Sequence, residues 1–216
     1  DQVDSRVRHL DSLLDRMDAR GPSIMKDGDA LAELAQFAAA SRLSGEANLL
    51  FLAALLANPE QPVALEALGC RERKGSWSYK KGSKWIRNED LGLAPENWKG
   101  RWELNSTHYK VESNQPLGNA IRSVLDLERF YRQFMELFQQ ELTLLEPLES
   151  MDFMIHGDAA SYPETSGGRK GRFYPGDLLT HINASSPPWH DTLLHEAVHH
   201  VFYMTTKRAK GGKGDI

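Results

Sequence analysis

The chain has 216 residues, 40% of them hydrophobic, and a formal net charge of −4. That is enough length and apolar material for one sizeable core plus a smaller satellite, and the wrong sign of charge for a general nucleic-acid binder. No run approaches the roughly 18 consecutive apolar residues of a membrane span, Leu49 to Ala57 being too short, and the single Cys70 excludes an intramolecular disulfide.

The first 68 residues read as an antiparallel helical array. Val3, Val7, Leu10, Leu14 and Met17 recur at alternating steps of four and three, one apolar helix face that Gly21-Pro22 ends. A second helix runs from Asp29 through Leu31, Leu34 and Phe37, a third from Glu46 to Ala57, stopped by Asn58-Pro59, and a short fourth from Pro62 to Leu68. A packing scaffold explains this pattern more simply than a docking or lid module.

Residues 69 to 105 change character, holding four of the five Trp. Three of them follow Lys-Gly steps: Lys74-Gly75-Ser76-Trp77, Lys81-Gly82-Ser83-Lys84-Trp85 and Lys99-Gly100-Arg101-Trp102. Basic residues interleaved with aromatics can stack on sugars or bases, but Gly turns with Trp covering a thin core make a small β-meander without any ligand. The meander is the expectation.

From residue 106 the pattern is mixed. Thr107, Tyr109, Val111 and Ser113 alternate with His108, Lys110 and Glu112 as in a half-exposed strand, and Ile121, Val124, Leu127, Tyr131, Phe134 and Phe138 mark a helix of about six turns. Met151 to Ile155 and Leu178 to Asn183 read as strands, with a Gly- and Pro-rich loop or hairpin from Ser161 to Gly176 between them. The fold class is therefore α+β.

The one stretch that specifies a reaction is Leu194-His195-Glu196-Ala197-Val198-His199, an instance of H-E-x-x-H. Residues four apart share a helix face, so His195 and His199 can direct their imidazoles at one ion while Glu196 sits beside it. Neutral imidazole suits Zn2+, and a catalytic zinc keeps one position open for water, whose proton Glu196 would take as general base. Ser185-Ser186-Pro187-Pro188 upstream reads as a capped helix start, and Leu193, Leu194, Ala197, Val198, Val201 and Phe202 give the helix an apolar stripe.

Two histidines do not complete a catalytic zinc site. Asp191 shares their helix face, but three ligands along one straight helix converge poorly and a first-turn acid is explained by the helix dipole. Asp215 sits in a glycine-rich end, and His156, His181 and His190 read as surface or hydrogen-bonded core histidines. The expectation is that the third ligand lies on a helix beyond this stretch of chain.

The stretch from about Ser106 to Met204 resembles the catalytic half-domain of the gluzincin metallopeptidases, especially bacterial peptidase-MA-like members with a helical lead-in. The pattern comprises the strand His108-Tyr109-Lys110-Val111-Glu112-Ser113-Asn114, a long helix, a strand, the Gly-Arg-Phe-Tyr edge segment at 171 to 174, and HEAVHHVFY. The resemblance implies His195 and His199 as zinc ligands, Glu196 as catalytic base, a peptide or protein substrate, and a secreted or periplasmic location. It also implies a third-ligand Glu in a Trp-x-x-Glu-Gly-type run, which this sequence does not contain.

The organisation expected is thus a helical lead-in (1–68), a Trp-rich β segment (69–105) and a zincin-like half-domain (106–216). An extended substrate would pair with an exposed edge strand at Arg172-Phe173-Tyr174 or Leu179 to Asn183, with Tyr174, His181 and Asn183 as substrate-binding residues. Two rivals use the same chain: a catalytically silent zincin-fold binding protein, and a glycan or cell-envelope module presenting Trp77, Trp85 and Trp102 in one exposed row.

Overall fold

The computed structural model describes residues 2–163, 170–185 and 187–207. The chain is α+β and divides into two compact units, one formed by residues 1–93, 105–107 and 116–121, the other by 94–104, 108–115 and 122–216.

The first unit is built on helices α1 (Gln2–Arg20), α2 (Gly28–Ala40), α3 (Ser44–Ala57) and α4 (Pro62–Ala67). Asp27 caps α2, its carboxylate accepting the Ala30 N–H at 3.0 Å, and Gln61 caps α4 through the Ala64 N–H at 2.7 Å. Every residue of α3 from Leu49 to Leu55 is buried, the mark of a helix enclosed on all sides rather than one with a wet face. Its first-turn Glu46 is fully buried and accepts from both the backbone N–H (2.6 Å) and the hydroxyl (2.7 Å) of Thr107.

Strands β1 (Arg71–Arg73), β2 (Ser76–Lys81) and β3 (Lys84–Arg87) form an antiparallel meander in the same unit. Its first turn is Lys74-Gly75, both at positive φ (53° and 79°) as a two-residue I′ turn requires; the second places Gly82 at φ 57°. Trp77 and Trp85 are half-buried on this sheet, and the guanidinium groups of Arg71 and Arg73 lie 5.7 and 5.0 Å from the Trp85 ring centre. Trp102 belongs instead to a strand of the second unit and is only 4% exposed. The three rings therefore do not form one exposed row.

The second unit carries a five-stranded sheet ordered β4-β5-β6-β8-β7: β4 (Trp102–Asn105), β5 (Tyr109–Ser113), β6 (Met151–His156), β7 (Gly171–Tyr174) and β8 (Leu179–Asn183). Between β5 and β6 runs α5 (Leu117–Leu142), the long crossover that two parallel neighbours need. β8 is parallel to β6, and β7 folds back antiparallel on β8 to become one edge of the sheet among the described residues. The last helix, α6 (Trp189–Lys207), packs on β7 and β8. It begins two residues later than the Ser-Pro pattern suggests, because a residue preceding proline is pushed out of helical geometry and Pro187 precedes Pro188.

One sheet face, carrying Tyr109, Val111, Phe153, Ile155, Thr180 and Ile182, is buried. A polar network ties the head of β5 to α5: Glu128 accepts from the His108 N–H at 2.8 Å and pairs with its ring Nδ1 at 2.7 Å. Tyr131 stacks on that ring at 3.8 Å and donates to Glu146 at 2.5 Å. Burial, with the Glu146 carboxylate beside it, holds the Tyr131 phenol far above its ordinary pKa.

Among the described residues no helix is long and apolar enough to cross a membrane.

Candidate active site

The HEAVH stretch lies on α6 with one face turned inward. Leu193, Ala197, His200 and Val201 are buried, whereas His195 and His199 are exposed and Glu196 is half-buried. The Nε2 atoms of His195 and His199 are 3.2 Å apart. Two nitrogens bonded at about 2.0–2.1 Å and a tetrahedral angle to zinc stand about 3.3 Å apart, a separation the pair matches.

The pair opens into a cleft of about 760 Å³ between α6 and edge strand β7, lined by Gly171, Arg172, Phe173, Pro175, Phe202 and Tyr203 with the two histidines and Glu196. Close approach of strand to helix depends on Gly171. A Cβ there would stand 2.5 Å from Thr192 Cγ2 and 2.9 Å from Glu196 Cγ, both shorter than van der Waals contact.

Strand polarity then places a donor against Glu196. Lys170 O accepts the Asn183 N–H at 2.7 Å, so residues 170, 172 and 174 turn their backbone groups to β8 while the amides of 171 and 173 turn outward. The Phe173 N–H is taken by Glu196 Oε2 at 2.9 Å. This bond fixes one carboxylate oxygen.

Behind the pair, His200 is fully buried, its Nδ1 3.0 Å from the Thr180 hydroxyl and its ring stacked on Phe173 at 4.4 Å and Phe153 at 5.4 Å. Burial pushes its pKa down to about 4, which keeps it neutral. Sequence reading passed over His200, although its place one residue beyond the exposed His199 puts it on the core side of the helix.

Tyr174, His181 and Asn183 lie elsewhere. Successive strand residues alternate faces, and Phe173 and Thr180 face α6, so Tyr174 and His181 face the other way. There the Tyr174 ring meets His181 edge-on at 5.6 Å, and Asn183 accepts from the Ser185 N–H and hydroxyl at 3.1 and 2.6 Å. None of the three lines the cleft.

His181 belongs to a separate cluster, its Nδ1 3.0 Å from His156 Nε2, with Trp98 stacked on His156 at 4.2 Å. Burial lowers both histidine pKa values, that of His156 to about 4 with His181 adding to the effect. The unfolded chain therefore takes up these protons first, so the stability contributed is complete above about pH 6.5 and is lost as pH falls towards 4. Thermal melts between pH 7.5 and 4 should show this slope, and His156→Gln should make it shallower.

His190 pairs with Asp126 of α5 at 3.1 Å, Asp191 is exposed in the first turn of α6, and Asp215 lies outside the described residues. Among the described residues no group of three His, Cys, Asp or Glu side chains is placed to hold a metal. Comparison of the chain with family models, with curated proteins and with solved structures finds no match in any of the three.

Proposed function

We propose that the protein is a zinc-dependent peptidase of gluzincin type, with His195 and His199 as two zinc ligands and a third ligand supplied from outside the described residues. The observation that carries this reading is the conjunction of the 3.2 Å Nε2 separation with a carboxylate on the adjacent residue, in a cleft bounded by the edge strand β7. Zinc in that position supplies Lewis acidity that makes water a nucleophile near neutral pH.

The chain's own residues do the rest. Glu196, held through Oε2 by the Phe173 N–H, accepts at Oε1 the proton of the attacking water and then delivers it to the departing amine. The water oxygen bonds the scissile carbonyl carbon as the C–N bond breaks, and no covalent enzyme intermediate forms. An extended peptide lies along β7 and pairs with the outward backbone groups of 171 and 173 other than the Phe173 N–H, which Glu196 takes.

The test is cleavage of a mixed peptide pool followed by mass spectrometry, with zinc, after chelation, and after zinc is restored. Cleavage that disappears on chelation and returns with zinc supports the reading; chelator-resistant cleavage or none contradicts it. The secreted or periplasmic location belongs to the same proposal and rests on the resemblance alone.

The silent-binding-protein alternative uses the same cleft and predicts peptide binding without turnover. For the glycan-binding alternative, the burial of Trp102 and the arginines over Trp85 weigh against a three-ring platform.

A further inference from the structure

Resting on the peptidase reading of the cleft, we infer that a second pocket on this unit is its specificity subsite, built for a large apolar side chain two residues from the scissile carbonyl. The pocket has a volume of about 390 Å³ and is lined by Leu148, Pro175, Leu178, Tyr203 and Met204 with Glu149 at its side. Pro175 and Tyr203 also line the cleft that holds His195 and His199, so the two volumes adjoin across a shared wall.

Three observations give the pocket its chemistry. The first is exposure. Leu148 is 75% exposed and Phe202, in the adjoining cleft, 47%; large apolar side chains left in water along a groove are what a partner's apolar groups cover.

The second is the backbone of Leu178, which has φ of 52°. That left-handed conformation suits Gly or Asn and costs a leucine of the order of 1 kcal/mol. A turn needing only this geometry is better served by glycine, whereas here a leucine is kept and its side chain lines the pocket. The third is charge: among the described lining residues Glu149 is the one carboxylate, which repels an acidic substrate side chain and leaves apolar ones unopposed.

Position follows from strand geometry. Pro175 and Gly176, which line the pocket, come two and three residues after Phe173, whose N–H meets Glu196, and a peptide lying along β7 advances about 3.3 Å per residue. The side chain that reaches the pocket is therefore that of the second residue from the carbonyl at the histidine pair.

The experiment has two arms on the same protein. In the first, binding of blocked tetrapeptides that differ only in carrying Leu, Phe, Ala or Glu at one position is measured by calorimetry on chelated protein, so that no turnover is needed. In the second, cleavage sites in a mixed peptide pool are mapped with zinc present. Leu and Phe peptides should bind roughly tenfold or more tightly than the Glu peptide, with the same residues enriched two positions from the cut.

Leu178→Asn, which suits the left-handed backbone and so keeps the fold, should reduce that preference to about threefold or less, and Met204→Lys, which offers the Glu peptide an opposite charge, should reverse it. Equal binding of Leu and Glu peptides, or a preference unchanged in Leu178→Asn, overturns the subsite. Cleavage without enrichment at that position also overturns the subsite while the peptidase reading stands. Apolar-selective binding with no cleavage supports the subsite and removes the peptidase reading.

Discussion

Replacing Glu196 with glutamine is expected to lower peptide hydrolysis by roughly a thousandfold, within the range of about 10²–10⁴ that a positioned general base supplies, while zinc content and melting temperature stay near those of the parent. Glutamine keeps the size of the side chain, and its amide oxygen can still accept the Phe173 N–H that Glu196 Oε2 accepts at 2.9 Å. What it cannot do is take a proton from water. Hydrolysis of a quenched fluorescent peptide, read beside zinc content, checks this, and near-parental activity in the variant would remove Glu196 from the chemistry.

The second large effect is expected at a residue with no functional group. Gly171→Ala places a methyl 2.5 Å from Thr192 Cγ2 and 2.9 Å from Glu196 Cγ. Thr192 is β-branched and half-buried, so its rotamer is restricted and it has little room to yield. The edge strand must then back away from α6, breaking the Phe173 bond to Glu196.

The expected outcome is a loss of about 100-fold in hydrolysis, as for a misplacement near 1 Å, with about 1–3 kcal/mol of stability lost to overpacking. Removing one obstructing methyl in the double variant Gly171→Ala with Thr192→Ser should recover part of both, the 2.9 Å approach to Glu196 Cγ remaining. Parental activity in the single variant, or no recovery in the double, would mean that the strand and helix are not held at the spacing the site requires.

The histidine pair and its carboxylate were legible in the sequence because their relation is local. A spacing of four on a helix fixes which side chains share a face wherever that helix packs. The helix and strand pattern is legible for the same reason, from the stop signals Gly21-Pro22 after α1 and Asn58-Pro59 after α3 to the alternation in β5. Gly171 carried no comparable signal, since its importance arises from the approach of β7 to α6 across 20 residues of chain.

Tyr174 and His181 show a different limit. Of the two candidate edge strands, Arg172-Phe173-Tyr174 lies in the edge strand β7, whereas Leu179 to Asn183 is β8, paired on both sides by β6 and β7; a strand's side chains also alternate faces, so an error of one position changes sides altogether. The parity was available: Thr180 and Ile182 are the buried set of β8, which leaves His181 and Asn183 on the opposite face. β4 falls in the Trp-rich segment by composition, although it pairs with β5, the next strand in the chain, and its buried Trp102 and Leu104 alternate with exposed Glu103 and Asn105 as an ordinary strand does. The network of His108, Glu128, Tyr131 and Glu146 likewise joins residues whose proximity only the folded chain reveals.

The most direct test of the account is zinc binding measured by equilibrium dialysis with elemental analysis on the protein and on its His195→Ala and His199→Ala variants. One zinc per chain, lost in both variants with the fold retained by circular dichroism, is the predicted result. No zinc on the parent protein, or zinc that both variants retain, would contradict the metal centre and with it the peptidase reading.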